Sequence, residues 1–185
     1  NLSSSAASNL NDLSDVLIET NSLYIGNTPS STDNAQYNIA VGADALDAVT
    51  TGDNNIALGY RALNANTTGS YNSALGHKAL ESNTTGSNNT ASGFFALKNN
   101  NTGRMNTASG AYALYSNITG DSNSASGYYA LYSNTTGNDN TSTGKQALEL
   151  NSSGSNNTAV GNNALNNNVT GNNNSAFGWR ALQKN

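Results

Sequence analysis

Side chains able to do acid–base, nucleophilic or metal chemistry are few in this sequence and poorly spaced for it. There is no Cys and one His, so a thiolate zinc site is absent and His77, between Gly76 and Lys78, has no second imidazole with which to share a metal. His77 reads as a solvated side chain. Carboxylate pairs for glycoside hydrolysis would have to be Asp121 with Asp139, or Glu81 with Glu149. The first pair is 18 residues apart, one out of step with the 17-residue repeat of this chain, and nothing prepares either acid as a proton donor. No Asp-x-Asp loop and no Gly-Gly-x-Gly-x-Asp run marks a calcium site. The expectation is therefore no enzyme: no catalytic residue, no metal and no cofactor.

Charge excludes further classes. Seven Lys and Arg against eleven Asp and Glu leave a net charge of -4, without the basic stripe that a nucleic acid requires. No apolar run approaches the roughly 20 residues that cross a bilayer, so membrane insertion is not expected. The chain starts at Asn1 rather than Met and reads as a piece of a longer one. What remains for recognition is aromatic. Phe94, Phe95, Tyr112, Tyr115, Tyr128, Tyr129 and Tyr132 fall within a short stretch of an otherwise polar sequence, and amphipathic rings suit sugar faces or a protein partner. Phe94, Tyr115, Tyr128 and Tyr132 are the candidate partner or glycan surface, while Phe95, Tyr112 and Tyr129 are expected to fill space beside small serines.

The elements that must position these rings follow from an internal repeat. A segment built on Asn-x-Ala-x-Gly recurs with its Asn at 38, 55, 72, 89, 106, 123, 140, 157 and 174, a constant step of 17. Ala-Leu follows each such Gly after two residues, and a second Gly ends a turn usually spelled Asn-Thr-Thr-Gly. With 35% hydrophobic and 10% charged residues, composition alone does not separate order from disorder, since disorder usually adds high net charge. The unbroken period decides for order. Seventeen residues broken by two glycines, with constant apolar positions three, eight and nine, do not match a helical period. They predict an all-β parallel solenoid in which residues 38–185 form nine coils, the last incomplete. Stacked at about 4.8 Å, nine coils make a rod on the order of 43 Å long.

Each coil is read as two short strands, one through Asn-x-Ala-x-Gly and one through Ala-Leu, with the invariant glycines at positive φ or at close approaches. The expected core is Leu46, Leu63, Leu80, Leu97, Leu114, Leu131, Leu148, Leu165 and Leu182. Because neighbouring strand residues face opposite sides, one member of each Ala-Leu pair would fill the interior and the other would meet a second chain. So little apolar surface per coil argues for a multi-chain rod. Bulk at the fourth repeat position goes with polarity at the seventh: Leu75 with Lys78, Ser109 with Tyr112, Ser126 with Tyr129. The expectation is that the two positions flank one space, so that a ring covers the gap left by a Ser. Residues 1–37 stand outside the repeat, with a frayed start (1–11), two short strands around Val16-Leu17-Ile18 and Ser22–Ile25, and a loop at Pro29, together capping the solenoid.

The Asn-Thr-Ala-Val-Gly segment at 157–161 resembles the head repeats of YadA-like trimeric autotransporter adhesins. The longer unit from Asn123 to Gly137, and the stretch Ser22-Leu-Tyr-Ile-Gly-Asn-Thr-Pro with Tyr37-Asn-Ile-Ala-Val-Gly after it, are similar to phage tail-fibre and other virion structural proteins. The resemblance covers residues 15–185 and implies a left-handed β-roll assembled as a homotrimer. Such a rod would be a virion tail-fibre component that presents or forms an attachment surface for a host cell-surface receptor or glycan. A bacterial surface adhesin head is the alternative, and a lesser one is an ice-binding solenoid using the Thr of the turns.

Overall fold

A computed structural model describes residues 16–19, 21–26, 29 and 34–184; the frayed start expected over 1–11 and most of the loop around Pro29 lie outside them. The described chain is an all-β parallel solenoid with one 17-residue coil per turn and no helix. Strands β1 (Val16–Glu19) and β2 (Ser22–Ile25) form an antiparallel hairpin. Nine three-residue strands follow, one per coil, from β3 (Ile39–Val41) to β11 (Ser175–Phe177). All eleven lie in one sheet in chain order, and β2 onwards pair in parallel. The register never slips, because each residue faces its counterpart one repeat away, as Ala108 faces Ala91 and Ala125.

The hairpin is continuous with the solenoid. Tyr24 pairs with Ala40 and is fully buried in the position that later coils give to Ala. Ser22 Oγ accepts from Asn38 N at 3.0 Å, as Asn38 Oδ1 accepts from Asn55 N one coil on. β2 is thus a divergent strand stacked beneath coil one, and antiparallel β1 closes its free edge.

Within a coil the strand places its second and fourth residues outward and its third, an Ala, inward. Ser142 is the one departure from Ala there, and its hydroxyl donates to Ala147 O at 2.7 Å. The Gly at the fifth position turns the chain. At Gly110 φ is +133, and an added Cβ would lie 2.7 Å from the carbonyl oxygen of Gly127 in the coil above. Both conformation and space demand Gly there. The other invariant Gly needs only the space: a Cβ on Gly103 would strike Gly120 O and Asn100 Oδ1, while its φ is not in the left-handed region.

The second strand expected through Ala-Leu is absent. The seventh and ninth residues of each coil are left-handed, as in Tyr112 (φ 59) and Leu114 (φ 51). Successive N–H groups therefore turn in three directions: Tyr112 N donates to Phe94 O in the preceding coil, Ala113 N to Gly110 O in its own, and Leu114 N to Ala130 O in the next. Strand alternation is lost, and Ala and Leu both point inward. From coil one to coil eight both are buried within a single chain, which corrects the expectation that one of them meets a second chain. A left-handed non-Gly residue costs roughly 1–2 kcal/mol, and burying a Leu returns about 1.5–3 kcal/mol, so the kink is offset by the side chain it carries inside. Leu46, Leu63, Leu80, Leu97, Leu114, Leu131, Leu148 and Leu165 form the core with the Ala columns. Leu182, expected in that core, is 51% exposed because no described coil stacks on its own.

The remaining interior is polar. Asn residues at the first position are buried in a ladder: Asn106 N donates to Asn89 Oδ1 at 3.0 Å, and Asn106 Nδ2 to Gly120 O at 2.8 Å. A second ladder runs through the turn, where Asn117 Nδ2 donates to Asn100 Oδ1 at 2.7 Å and to the same Gly120 O at 2.9 Å. One glycine carbonyl per coil thus receives both columns. Buried amides so completely paired are stabilising rather than costly. Asn66 and Asn134, which with the Thr two residues on match the Asn-x-Thr glycosylation pattern, belong to this buried column, with their amides engaged inside the coil.

Candidate functional site

The sixth, seventh and tenth repeat positions project from the side of the coil that follows the Gly turn, and stacking in register aligns each with its counterparts. Phe94 and Tyr128 share the sixth position, Phe95, Tyr112 and Tyr129 the seventh, and Tyr115 and Tyr132 the tenth. Phe94 is 45% and Tyr128 48% exposed; Tyr115 and Tyr132 are half-buried. The four candidate residues therefore fall on one surface, joined by the three rings assigned to packing. Tyr115 and Tyr132 stack at 5.1 Å with 9° between planes, and Tyr129 stacks on Tyr132 at 4.6 Å. Phe94 and Phe95 touch at 4.1 Å, and Phe95 reaches Tyr112 at 5.4 Å.

The strip is longer than the sequence reading made it. His77, expected to be solvated, is exposed but stacked on Phe94 at 5.1 Å and lies 5.3 Å from Tyr60. Both occupy the sixth position, so the repeat itself carried the signal once its columns were compared beyond the densest coils. The expected ring-for-serine exchange is corrected. Ser109 and Ser126 lie exposed on the outer sheet face, so no interior gap exists there, and Tyr112 and Tyr129 pack on each other at 5.0 Å instead.

Charge gathers at one end of the strip. Glu81, 7% exposed, holds Arg61 Nη1 at 2.8 Å, Lys78 Nζ at 3.5 Å and Lys98 Nζ at 3.6 Å. Lys98 also sits 5.7 Å from the Phe95 ring and 5.6 Å from that of Tyr115, within reach of a cation–π attraction. In sequence Glu81 stands out only as a possible carboxylate partner of Glu149, and the coil numbering places those two four coils apart. At the other end, the hydrogen bond of Tyr129 to the Tyr128 side chain, followed by partial burial and the neighbouring phenols, raises the Tyr129 hydroxyl above the usual 10.0. Burial first, then Tyr115, Tyr112 and Glu149, raises Tyr132.

Of the acids considered for hydrolysis, Glu149 Oε2 accepts from Gln146 and Asn166, while Asp139 is exposed. Asp121 Oδ1 accepts from Arg104 N at 2.7 Å, one rung of a column in which Asn138 Oδ1 accepts from Asp121 N at 2.7 Å. Thr hydroxyls at the thirteenth position bond to the next coil, Thr67 Oγ1 donating to Thr84 O and Thr135 Oγ1 to Ser152 O at 3.1 and 3.0 Å, while fourteenth-position Thr such as Thr68 and Thr136 are exposed. A groove of about 560 Å³ runs between Ser82, Asn99 and Ser116 on one side and Thr84, Asn101, Ile118 and Thr135 on the other. It contains no ring and no charge. Compared with family models, with curated proteins and with solved structures, the chain finds no match.

Proposed function

We propose that this protein is a rigid structural rod of the phage tail-fibre kind, homotrimeric in the virion, whose aromatic strip is a host-attachment surface for a cell-surface receptor or glycan. It acts by binding and does no chemistry. The observation that carries the reading is the strip: rings from five consecutive coils, Tyr60 to Tyr132, in continuous contact on one side of an uninterrupted solenoid. Exposed rings in such number mark an interaction site on an otherwise polar surface. Trimer formation draws support from a different face, where Ile39, Val41, Ile56 and Leu75 stand exposed on the outside of the sheet. Their apolar surface is available to other chains, whereas Ala-Leu is not. Light scattering should give a mass of three chains, and a folded monomer would remove the trimer from the proposal. Adsorption of labelled protein to host cells should fall when Tyr115 and Tyr132 are both replaced by Ala; unchanged adsorption would place attachment elsewhere. The same experiment on host tissue would serve the alternative, a bacterial surface adhesin head.

A second reading, ice binding, is favoured by one specific feature. Thr107, Ser109, Ser124, Ser126, Thr141 and Thr143 form a two-column array of exposed hydroxyls on the sheet, whereas the thirteenth-position turn hydroxyls bond to the next coil. Thermal hysteresis that disappears in Thr107→Lys would establish it.

A further inference from the structure

Three of the seven basic residues converge on one acid. Glu81 neutralises one of those charges, and among the described residues no second carboxylate pairs with Arg61, Lys78 or Lys98. About two positive charges are therefore left in place on a chain whose net charge is -4. A structural ion pair needs one cation, and the side chains of Lys78 and Lys98, 23% and 22% exposed, remain open to an outside anion. Each lysine also lies beside a ring: Lys78 Nζ is 6.0 Å from Tyr60, and Lys98 Nζ lies between Phe95 and Tyr115.

We propose that the strip binds an acidic polysaccharide laid along the solenoid axis, with its carboxylate or sulfate groups on Lys78 and Lys98 and its sugar rings against Tyr115, Tyr128 and Tyr132. This rests on the attachment reading and names the ligand class for the same surface. The rings recur once per coil, at about the 4.8 Å spacing of neighbouring strands, a step comparable with the length of one pyranose unit. Each Tyr offers carbon surface for a sugar face and a hydroxyl for its alcohol groups. A single-stranded nucleic acid fits less well. Two excess charges are few for a polyphosphate.

Calorimetric titration of the full chain with polygalacturonate, dextran sulfate, neutral dextran and oligothymidylate tests this. One or both acidic polysaccharides should bind, more weakly at high salt, and Lys78→Gln with Lys98→Gln should weaken binding about 10-fold. The charge-preserving Lys78→Arg with Lys98→Arg should restore most of it, which separates charge from packing, and melting curves check that each variant is folded. Preference for sulfate or for carboxylate identifies the acidic group, and either supports the proposal. Neutral dextran bound as well as the acids, and equally by the Gln variant, would overturn the acidic preference while leaving the strip an attachment surface. Binding of none of the polysaccharides by folded protein would overturn the ligand class, and adsorption to cells would then decide the attachment reading separately. Oligothymidylate bound more tightly than either acid would overturn it in favour of nucleic acid.

Discussion

At the scale of single residues, the buried Asn decides how this interior works. Asn117 donates to Asn100 Oδ1 and Gly120 O, and its own Oδ1 accepts from Asn134 Nδ2 at 2.8 Å. Asn117→Ala leaves an acceptor below and a donor above unpaired, and should cost about 2–4 kcal/mol in urea unfolding. Asn117→Asp should be worse at neutral pH, because a carboxylate would face two acceptors. Its buried carboxyl would titrate above the unfolded value, so the variant should regain stability as pH falls. The tyrosines give a test of the same sign at higher pH. Tyr129 and Tyr132 have native values raised above 10.0, so their contribution is present below that pH and is lost as pH rises through the raised values. Phenolate absorbance should show these two ionising above the usual 10.0, and Tyr128→Phe should bring Tyr129 down.

At the scale of the element, left-handed residues shape the coil. Each coil uses them at the seventh, ninth and seventeenth positions. Met105 (φ 56) is exposed at the seventeenth, where Asn54, Asn88, Asn156 and Asn173 take the same conformation in other coils. Asn visits this region at lower cost than Met, so Met105→Asn should raise stability by up to about 1 kcal/mol, read as a higher Tm. Leu114 tests the opposite balance. It is fully buried at φ 51, and Leu114→Ala removes the burial that offsets its conformation, for an expected loss of about 2–5 kcal/mol. These positions also explain where sequence reasoning about the element stopped. Ala-Leu looks like a piece of strand, and no residue in it is Gly or Asn to announce the left-handed turn.

At the scale of the whole molecule, stability is a sum over coils and their interfaces. Every column continues through every coil, so removing one full period joins equivalent residues. Deletion of residues 106–122, one 17-residue coil, should leave a folded, shorter rod with the same circular dichroism per residue and a modestly lower Tm. Removing one residue fewer (106–121) would offset the columns by one place across the junction, bringing Gly93 against Ser126, Gly103 against Thr136 and Asn100 against Ser133, and should abolish cooperative unfolding. The same register makes the surface: a ring in one coil becomes a strip only because the next coil repeats its position.

The sequence by itself determined the period, the parallel stacking, the Leu and Ala columns and the density of rings, because a 17-residue identity repeated without slippage leaves one way to align like with like. It also placed Phe94, Tyr115, Tyr128 and Tyr132 at two repeat positions. Tertiary structure alone decided which way each position faces. Backbone hand at Tyr112 and Leu114 turned both Ala113 and Leu114 inward, which local pattern does not encode because those residues pay for their conformation through contacts one coil away. Likewise Arg61, Lys78 and Lys98 lie 17 or 20 residues apart along the chain, and only the stacked coils bring them to one carboxylate.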